Sequence, residues 1–174
     1  MKHVMIIGGS GSGKSTLARK IGAATGLPVV HIDPMYWKPG WVQRPKAETR
    51  ALVLGATAAQ AWVFEGNHHS TFPQRIARAD TLIWLDLPTW LRMWRVVARR
   101  WQYRGRARPD MTEDCFERLT PHFLFYWVGG YRWRRRREDA ALMQSLPPHV
   151  TGVHLQSRRA VVAYLVGIEK GAGG

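Results

Sequence analysis

The sequence contains one cysteine, Cys115. No disulfide can form within the chain, which excludes a disulfide scaffold and fits a reducing compartment. Long apolar runs are missing too. No stretch approaches the roughly 18 apolar residues of a membrane span. The first apolar run leads straight into glycines and is too short for a signal peptide. These shortages predict a soluble, cytoplasmic chain with no membrane partner. Acidic residues are scarce, 12 against 26 basic ones, for a net charge of +14. Lysine is scarce in turn, 6 residues against 20 arginines. Arginine's planar fork suits bidentate phosphate contacts, so the surplus points to phosphorylated ligands, with nucleic acid as the rival. No internal repeat occurs, and the only low-complexity stretch is the glycine-rich tail, 171–174.

What is present is enough for one globular domain spanning 1–174, with 45% hydrophobic residues. Short apolar runs at 3–7, 29–32, 61–64, 81–85 and 150–155 read as strands. Helices are expected over 15–25, 47–60, 72–79 (capped by Thr71), 90–103, 113–128, 131–145 and 158–169. Residues 34–46, with three prolines, read as a loop, and 104–112 as a flexible basic loop. This alternation predicts a three-layer α/β/α fold on a five-stranded parallel sheet, with ligands at the carboxyl ends of the strands.

Gly8-Gly9-Ser10-Gly11-Ser12-Gly13-Lys14-Ser15-Thr16 matches G-x-x-x-x-G-K-[ST] and lies between an expected strand and an expected helix. Glycines let backbone N–H groups turn inward around an anion, and the helix N-terminus adds partial positive charge. In such a P-loop, Lys14 bridges the β- and γ-phosphates of ATP and the Ser15 hydroxyl ligates Mg²⁺.

Two strands end in an acid able to help hold Mg²⁺: Glu65, before Gly66, and Asp86, before Leu87-Pro88. Asp86 is equally explained as a cap for the next helix. Asp33 ends the second strand, either facing an acceptor and taking its hydroxyl proton or serving an Asp-Pro turn. Arg92, Arg95 and Arg99 fall on one helix face; the alternative is a solvated basic face. Leu91, Trp94 and Ala98 form another, expected in the core. Arg104, Arg106 and Arg108 belong to a loop that closes over ATP or stays a surface loop. The run at 132–137 points all round its helix. His68, His69 and His122 read as ordinary polar residues, and Cys115 as a packed thiol.

Further landmarks are His31-Ile32-Asp33, Tyr36-Trp37-Lys38-Pro39-Gly40-Trp41, Val63-Phe64-Glu65-Gly66-Asn67 and Leu85-Asp86-Leu87-Pro88. Trp94-Arg95, Arg99-Arg100, Tyr103-Arg104-Gly105-Arg106, Arg108-Pro109-Asp110-Met111 and Leu155 to Arg159 follow. With the P-loop, they make nearly the whole chain resemble the adenylate-kinase-related P-loop kinases known as DNA topology modulation proteins (FlaR-like). The resemblance implies a nucleoside-monophosphate-kinase-like fold with a helical, arginine-rich lid region over 101–145 and an acceptor-binding segment over 34–60. It implies transfer of the γ-phosphoryl group of ATP to a small acceptor, with nucleotides among the candidates. In the wider nucleoside-monophosphate kinase group an Asp-Gly follows the third strand and its acid helps hold Mg²⁺; Glu65-Gly66 stands there, one methylene longer. Two arginines of that group follow a proline by seven and eleven residues, the offsets of Arg95 and Arg99 from Pro88, which implies phosphate contacts. Its loop after the last strand lies beside adenine, which implies Gln156 and Arg158. The Pro- and Trp-rich 34–46 departs from the helical AMP-binding segment of true adenylate kinases. The rival reading is a nucleic-acid-associated or regulatory P-loop ATPase, with weak nucleic-acid binding through the arginine-rich region.

Overall fold

A computed structural model of the chain describes residues 1–104, 111–116 and 119–172. Strand β1 is His3–Gly8, β2 Val29–His31, β5 Trp62–Glu65, β6 Thr81–Leu85 and β7 Thr151–Leu155. They form one sheet in the order β2-β5-β1-β6-β7, with every pair parallel. The P-loop strand is therefore central. Its alternating side chains seed two cores, because successive residues of a strand point to opposite faces. Val4 and Ile6 pack with Leu17, Ile21 and Leu165 under α1 (Lys14–Thr25) and α8 (Arg158–Ala172). Met5 and Ile7 pack on the other face with Val53, Phe72 and Ile76 from α3 (Lys46–Thr57) and α4 (Phe72–Arg78). Met143 of α7 (Arg136–Gln144) joins the same face. This is the three-layer α/β/α architecture expected from the strand–helix alternation.

Several local expectations fail for physical reasons. Residues 34–46 are not a plain loop. Asp33–Tyr36 forms a one-turn helix, α2, because Pro34 suits a first-turn position. Trp37–Lys38 (β3) and Val42–Gln43 (β4) then make an antiparallel ribbon, with Trp37 edge-on to both Tyr36 and Trp41. Thr71 does not cap α4; its hydroxyl donates to the His68 carbonyl at 2.9 Å. Of the helix expected over 113–128, residues 121–122 are helical and run into a π-helical segment, Phe123–Gly129, while Asp114 has φ 59 in a turn before it. The helix expected over 131–145 is two, α6 (Tyr131–Arg134) and α7, broken at Arg135 with φ −124. Along α5 (Thr89–Gln102), Leu91 and Val96 face the core, but Trp90, Trp94 and Trp101 are 71%, 66% and 76% exposed. The face expected in the core therefore splits: Leu91 is buried, whereas Trp94 and Ala98 are exposed. Arg106 and Arg108 lie outside the described residues. No described helix is long and apolar enough to cross a membrane.

Candidate active site

The P-loop turns at Gly11 (φ 79) and Gly13 (φ 94), and α1 starts at Lys14 with no side chain capping its N-terminus. The free N–H groups of that first turn are an anion site. The glycines also serve packing. A Cβ on Gly9 would overlap the Arg92 guanidinium, and one on Gly11 would overlap the Arg92 carbonyl. The loop is therefore seated directly on α5.

Beside it, β2 and β5 deliver the acids. The Ser15 hydroxyl donates to Glu65 Oε1 at 3.0 Å, and His31 Nδ1 lies 2.7 Å from the same oxygen. Burial pushes the Glu65 carboxyl up, but the His31 hydrogen bond, the Lys14 charge and Ser15 outweigh it, so the net shift is downward and Glu65 stays ionised. Burial likewise lowers Lys14, while the charges of Glu65 and Asp33 oppose that shift. The fields of Glu65 and Asp33 thus converge on the Lys14 ammonium, which also donates to the Gly9 carbonyl at 3.3 Å.

Two residues given no role from the sequence, Asn67 and Arg75, hold this corner. Asn67 brackets Gly8, accepting from its N–H at 3.2 Å and donating to its carbonyl at 2.7 Å. Arg75 is fully buried and donates to the carbonyls of Gly66 and Phe64 at 2.9 and 3.1 Å, fixing the turn that carries Glu65. Burial pushes its guanidinium down to about 9, with Glu65 opposing, so it is charged at neutral pH. In sequence Arg75 looks like any charge on a short helix; nothing marks it as buried. His31 appears among the family landmarks, but its contact with Glu65 joins two strands and is invisible to local reading.

The arginines of α5 divide. Arg92 is buried; it donates to the Leu87 carbonyl and Thr89 hydroxyl and stacks on Tyr131, 4.8 Å from its ring centre. Arg95 donates to the Ser12 carbonyl at 3.0 Å. Burial and the charge of Arg158 lower its pKa. Arg99 lies close enough to Lys14 to depress it. Gln156 lines a cavity of about 270 Å³ with Arg92, Tyr131 and Arg136.

Asp86 sits apart from the Ser15–Glu65 pair. Arg136 holds it at 2.8 Å and His154 Nε2 lies 3.1 Å from it. It does not cap α5, whose N-cap is Pro88. Arg136 was one of five arginines in an undifferentiated run; only the fold brings it to Asp86.

A second cavity, of about 420 Å³, opens between α2, α3 and the loop after β5, lined by Tyr36, Lys46, Arg50, His68 and Ser70. The ribbon beside it is held by the region after α5: Thr112 Oγ1 donates to the Trp37 carbonyl at 2.7 Å, and Trp41 Nε1 to the Phe116 carbonyl at 2.8 Å.

No family model and no curated protein matches the chain. Solved structures do. A sugar kinase from Janibacter sp. HTCC2649 aligns with TM-score 0.52 and 17% identity, over 99% of this chain and 98% of that one. Shikimate kinase from Acinetobacter baumannii, in complex with shikimate, gives TM-score 0.58 and 14% identity over 97% and 90%. Deoxyadenosine kinase from M. mycoides, with bound dCTP, gives 0.54 and 15% over 96% and 98%. The chain has the P-loop kinase fold.

Proposed function

We propose that the protein is an ATP-dependent phosphotransferase acting on a small acceptor. One observation carries the reading: Lys14, Ser15, Glu65 and Asp33 converge at the carboxyl edge of β1, β2 and β5, where an uncapped helix N-terminus meets a glycine turn. That the solved structures of this fold named above are kinases for sugar, shikimate and deoxyadenosine supports it. The family-level resemblance to the FlaR-like kinases rests on the sequence landmarks alone.

The backbone of Gly8 to Thr16 would cradle the ATP phosphates, with Lys14 on the β- and γ-phosphates. Gln156 and Arg158 would lie beside adenine, and Arg95 and Arg99 would reach the transferring group. The acceptor oxygen bonds to the γ-phosphorus as the bridging bond breaks, and that electron pair leaves on ADP. Where the acceptor is a hydroxyl, Asp33 takes its proton. Mg²⁺ fits the donors present. Ser15 Oγ already meets an ionised Glu65, and Mg²⁺ in a nucleotide site needs only one or two protein oxygens. No cluster of three or more His, Cys, Asp or Glu among the described residues would hold a metal unaided. Ser15 and Glu65 would hold Mg²⁺, which would neutralise charge on the phosphates. The paired Asp86 is the lesser metal candidate.

The test is ATP consumption across an acceptor panel, with and without DNA, for the parent and Lys14→Ala. Removing a charge-assisted phosphate contact should weaken ATP binding by roughly 1.5–3 kcal/mol. Transfer should fall further, since that charge is aimed at the transition state. A folded variant with parental turnover would sink the assignment. A second reading, action on nucleic acid, is favoured by the exposed Trp90, Trp94 and Trp101, which share a helix with four arginines; acceptor-independent, DNA-stimulated turnover would select it.

A further inference from the structure

The cavity between α2, α3 and the loop after β5 has an electrostatic imbalance. Four cations lie on or beside its walls. Lys38 and Arg44 share Glu48, with Lys38 at 3.4 Å and Arg44 paired directly from just before α3. Lys46 and Arg50 line the cavity itself, and among the described residues neither has an acidic partner. Arg50 spends one N–H on the Ser70 carbonyl, at 2.6 Å, which fixes its guanidinium at the rim. Two unneutralised cations on one wall of a cavity repel each other unless an anion sits between them.

The remaining lining is suited to an organic body. Tyr36 contributes an aromatic wall, held by Gln43 Nε2 donating to its hydroxyl at 2.6 Å and by the Trp37 ring set edge-on, with ring centres 4.9 Å apart. His68 is 3.1 Å from Thr71 Oγ1. Burial, Arg75 and Arg50 all lower its pKa, so the ring is a neutral hydrogen-bonding group. The cavity also adjoins the candidate chemistry. Tyr36 follows Asp33 by three residues on α2, about 4.5 Å of helix rise, and Asp33 acts on Lys14.

We infer that this cavity is the acceptor site and that its ligand is a small hydroxyl-bearing molecule with an anionic group, carboxylate or phosphate, at the end away from the reacting hydroxyl. Arg50 and Lys46 hold the anion, Tyr36 lies along the body, and the hydroxyl is directed to Asp33. A neutral polyol lacks the group that Arg50 and Lys46 are placed to bind. A nucleotide whose phosphate is itself the nucleophile would leave that pair facing its nucleoside end. This inference rests on the phosphotransferase reading.

The test uses the full chain and two probes, inorganic phosphate and acetate. Each is titrated while the Arg50 side-chain N–H, the His68 ring and the amides of Gly8 to Thr16 are followed by NMR. Saturable shifts at Arg50 and His68 are expected with at least one probe. Phosphate alone would indicate a phosphorylated acceptor, and acetate alone a carboxylic one. Arg50→Gln should weaken the response at His68 by at least about tenfold, the loss expected for a charged hydrogen bond. Lys46→Gln, at an exposed position, should weaken it several-fold without disturbing the fold. Lys14→Ala, which strips the P-loop, should leave it unchanged. No saturable shift at Arg50 and His68 with either probe, or parental binding in both Arg50→Gln and Lys46→Gln, overturns the inference. The phosphotransferase reading fails separately, if ATP·Mg²⁺ does not shift the amides of Gly8 to Thr16.

Discussion

Glu65 and Asp86 are both acids at strand ends, yet their surroundings assign them different work. Glu65 is buried and ionised, in contact with Ser15 and His31 and in the field of Lys14. Asp86 is buried too, but its charge is spent on Arg136 and His154. Glu65→Gln keeps an acceptor for Ser15 and removes the charge. It should lower kcat/KM at least tenfold, roughly 1.4 kcal/mol of transition-state stabilisation, with a changed Mg²⁺ dependence. Asp86→Asn should cost stability, because Arg136 loses its partner, and leave turnover per folded molecule near parental. Melting curves and kcat/KM at several Mg²⁺ concentrations decide between them. A larger, Mg²⁺-sensitive loss for Asp86→Asn would reverse the ranking.

The element that most constrains the P-loop is α5. It presses its Arg92 carbonyl against Gly11, where φ is 79, and its Arg92 guanidinium against Gly9. A side chain at Gly11 meets backbone, which cannot swing aside, and a conformation that costs a non-glycine residue roughly 1–3 kcal/mol by itself. Gly11→Ala should therefore destabilise the chain by more than that strain and loosen ATP binding with it. Gly40→Ala is the control, with φ 74 but open space around its Cβ; it should cost only the strain. Equal losses in denaturant unfolding would show that the α5 contact carries no weight. Much at this scale was legible. The strand–helix alternation and the P-loop motif require only local pattern, and β1, α1, β5 and β6 appear where their apolar runs lie. The ribbon at 37–43 was not legible, because its strands of two residues give no period-two signal and its support comes from Thr112 and Phe116, far along the chain. Trp94 of α5 departs from its expected core position for the converse reason. Aromatic residues at helical spacing look like core until Leu91 and Val96 are seen to occupy it.

The molecule as a whole answers to pH through groups that pull in opposite directions. Tyr131 receives a hydrogen bond from Trp84 Nε1 at 2.9 Å and donates to Asp139, joining β6 to α6 and α7 on the face opposite α1 and α8. The other Asp139 oxygen is buried with no partner. Burial accordingly pushes the Asp139 carboxyl up to about 6, against the Tyr131 hydrogen bond. Its folded-state pKa lies above the unfolded one. Its contribution is therefore fully present below the unfolded value of 3.8 and is lost as pH rises through about 6. Glu65 and Asp80 are shifted down, so their contributions appear above the unfolded pKa and are lost as pH falls through the folded one. The depressed pair acts below 4.5 and 3.8 and Asp139 between 3.8 and about 6, so the windows adjoin and these groups remove stability on either side of a maximum between them. Asp139→Asn isolates one of them. The amide can still accept from Tyr131, and any fixed cost of its unpartnered N–H is the same at every pH. Relative to the parent, the variant should gain roughly 2–3 kcal/mol between pH 4 and pH 7, most of the free energy of the shift from 3.8 to about 6. Denaturant unfolding of both proteins at intervals across that range measures it. A difference that does not change with pH would mean that Asp139 titrates alike in the folded and unfolded chain, and the buried Trp84–Tyr131–Asp139 chain would then not govern the acid response.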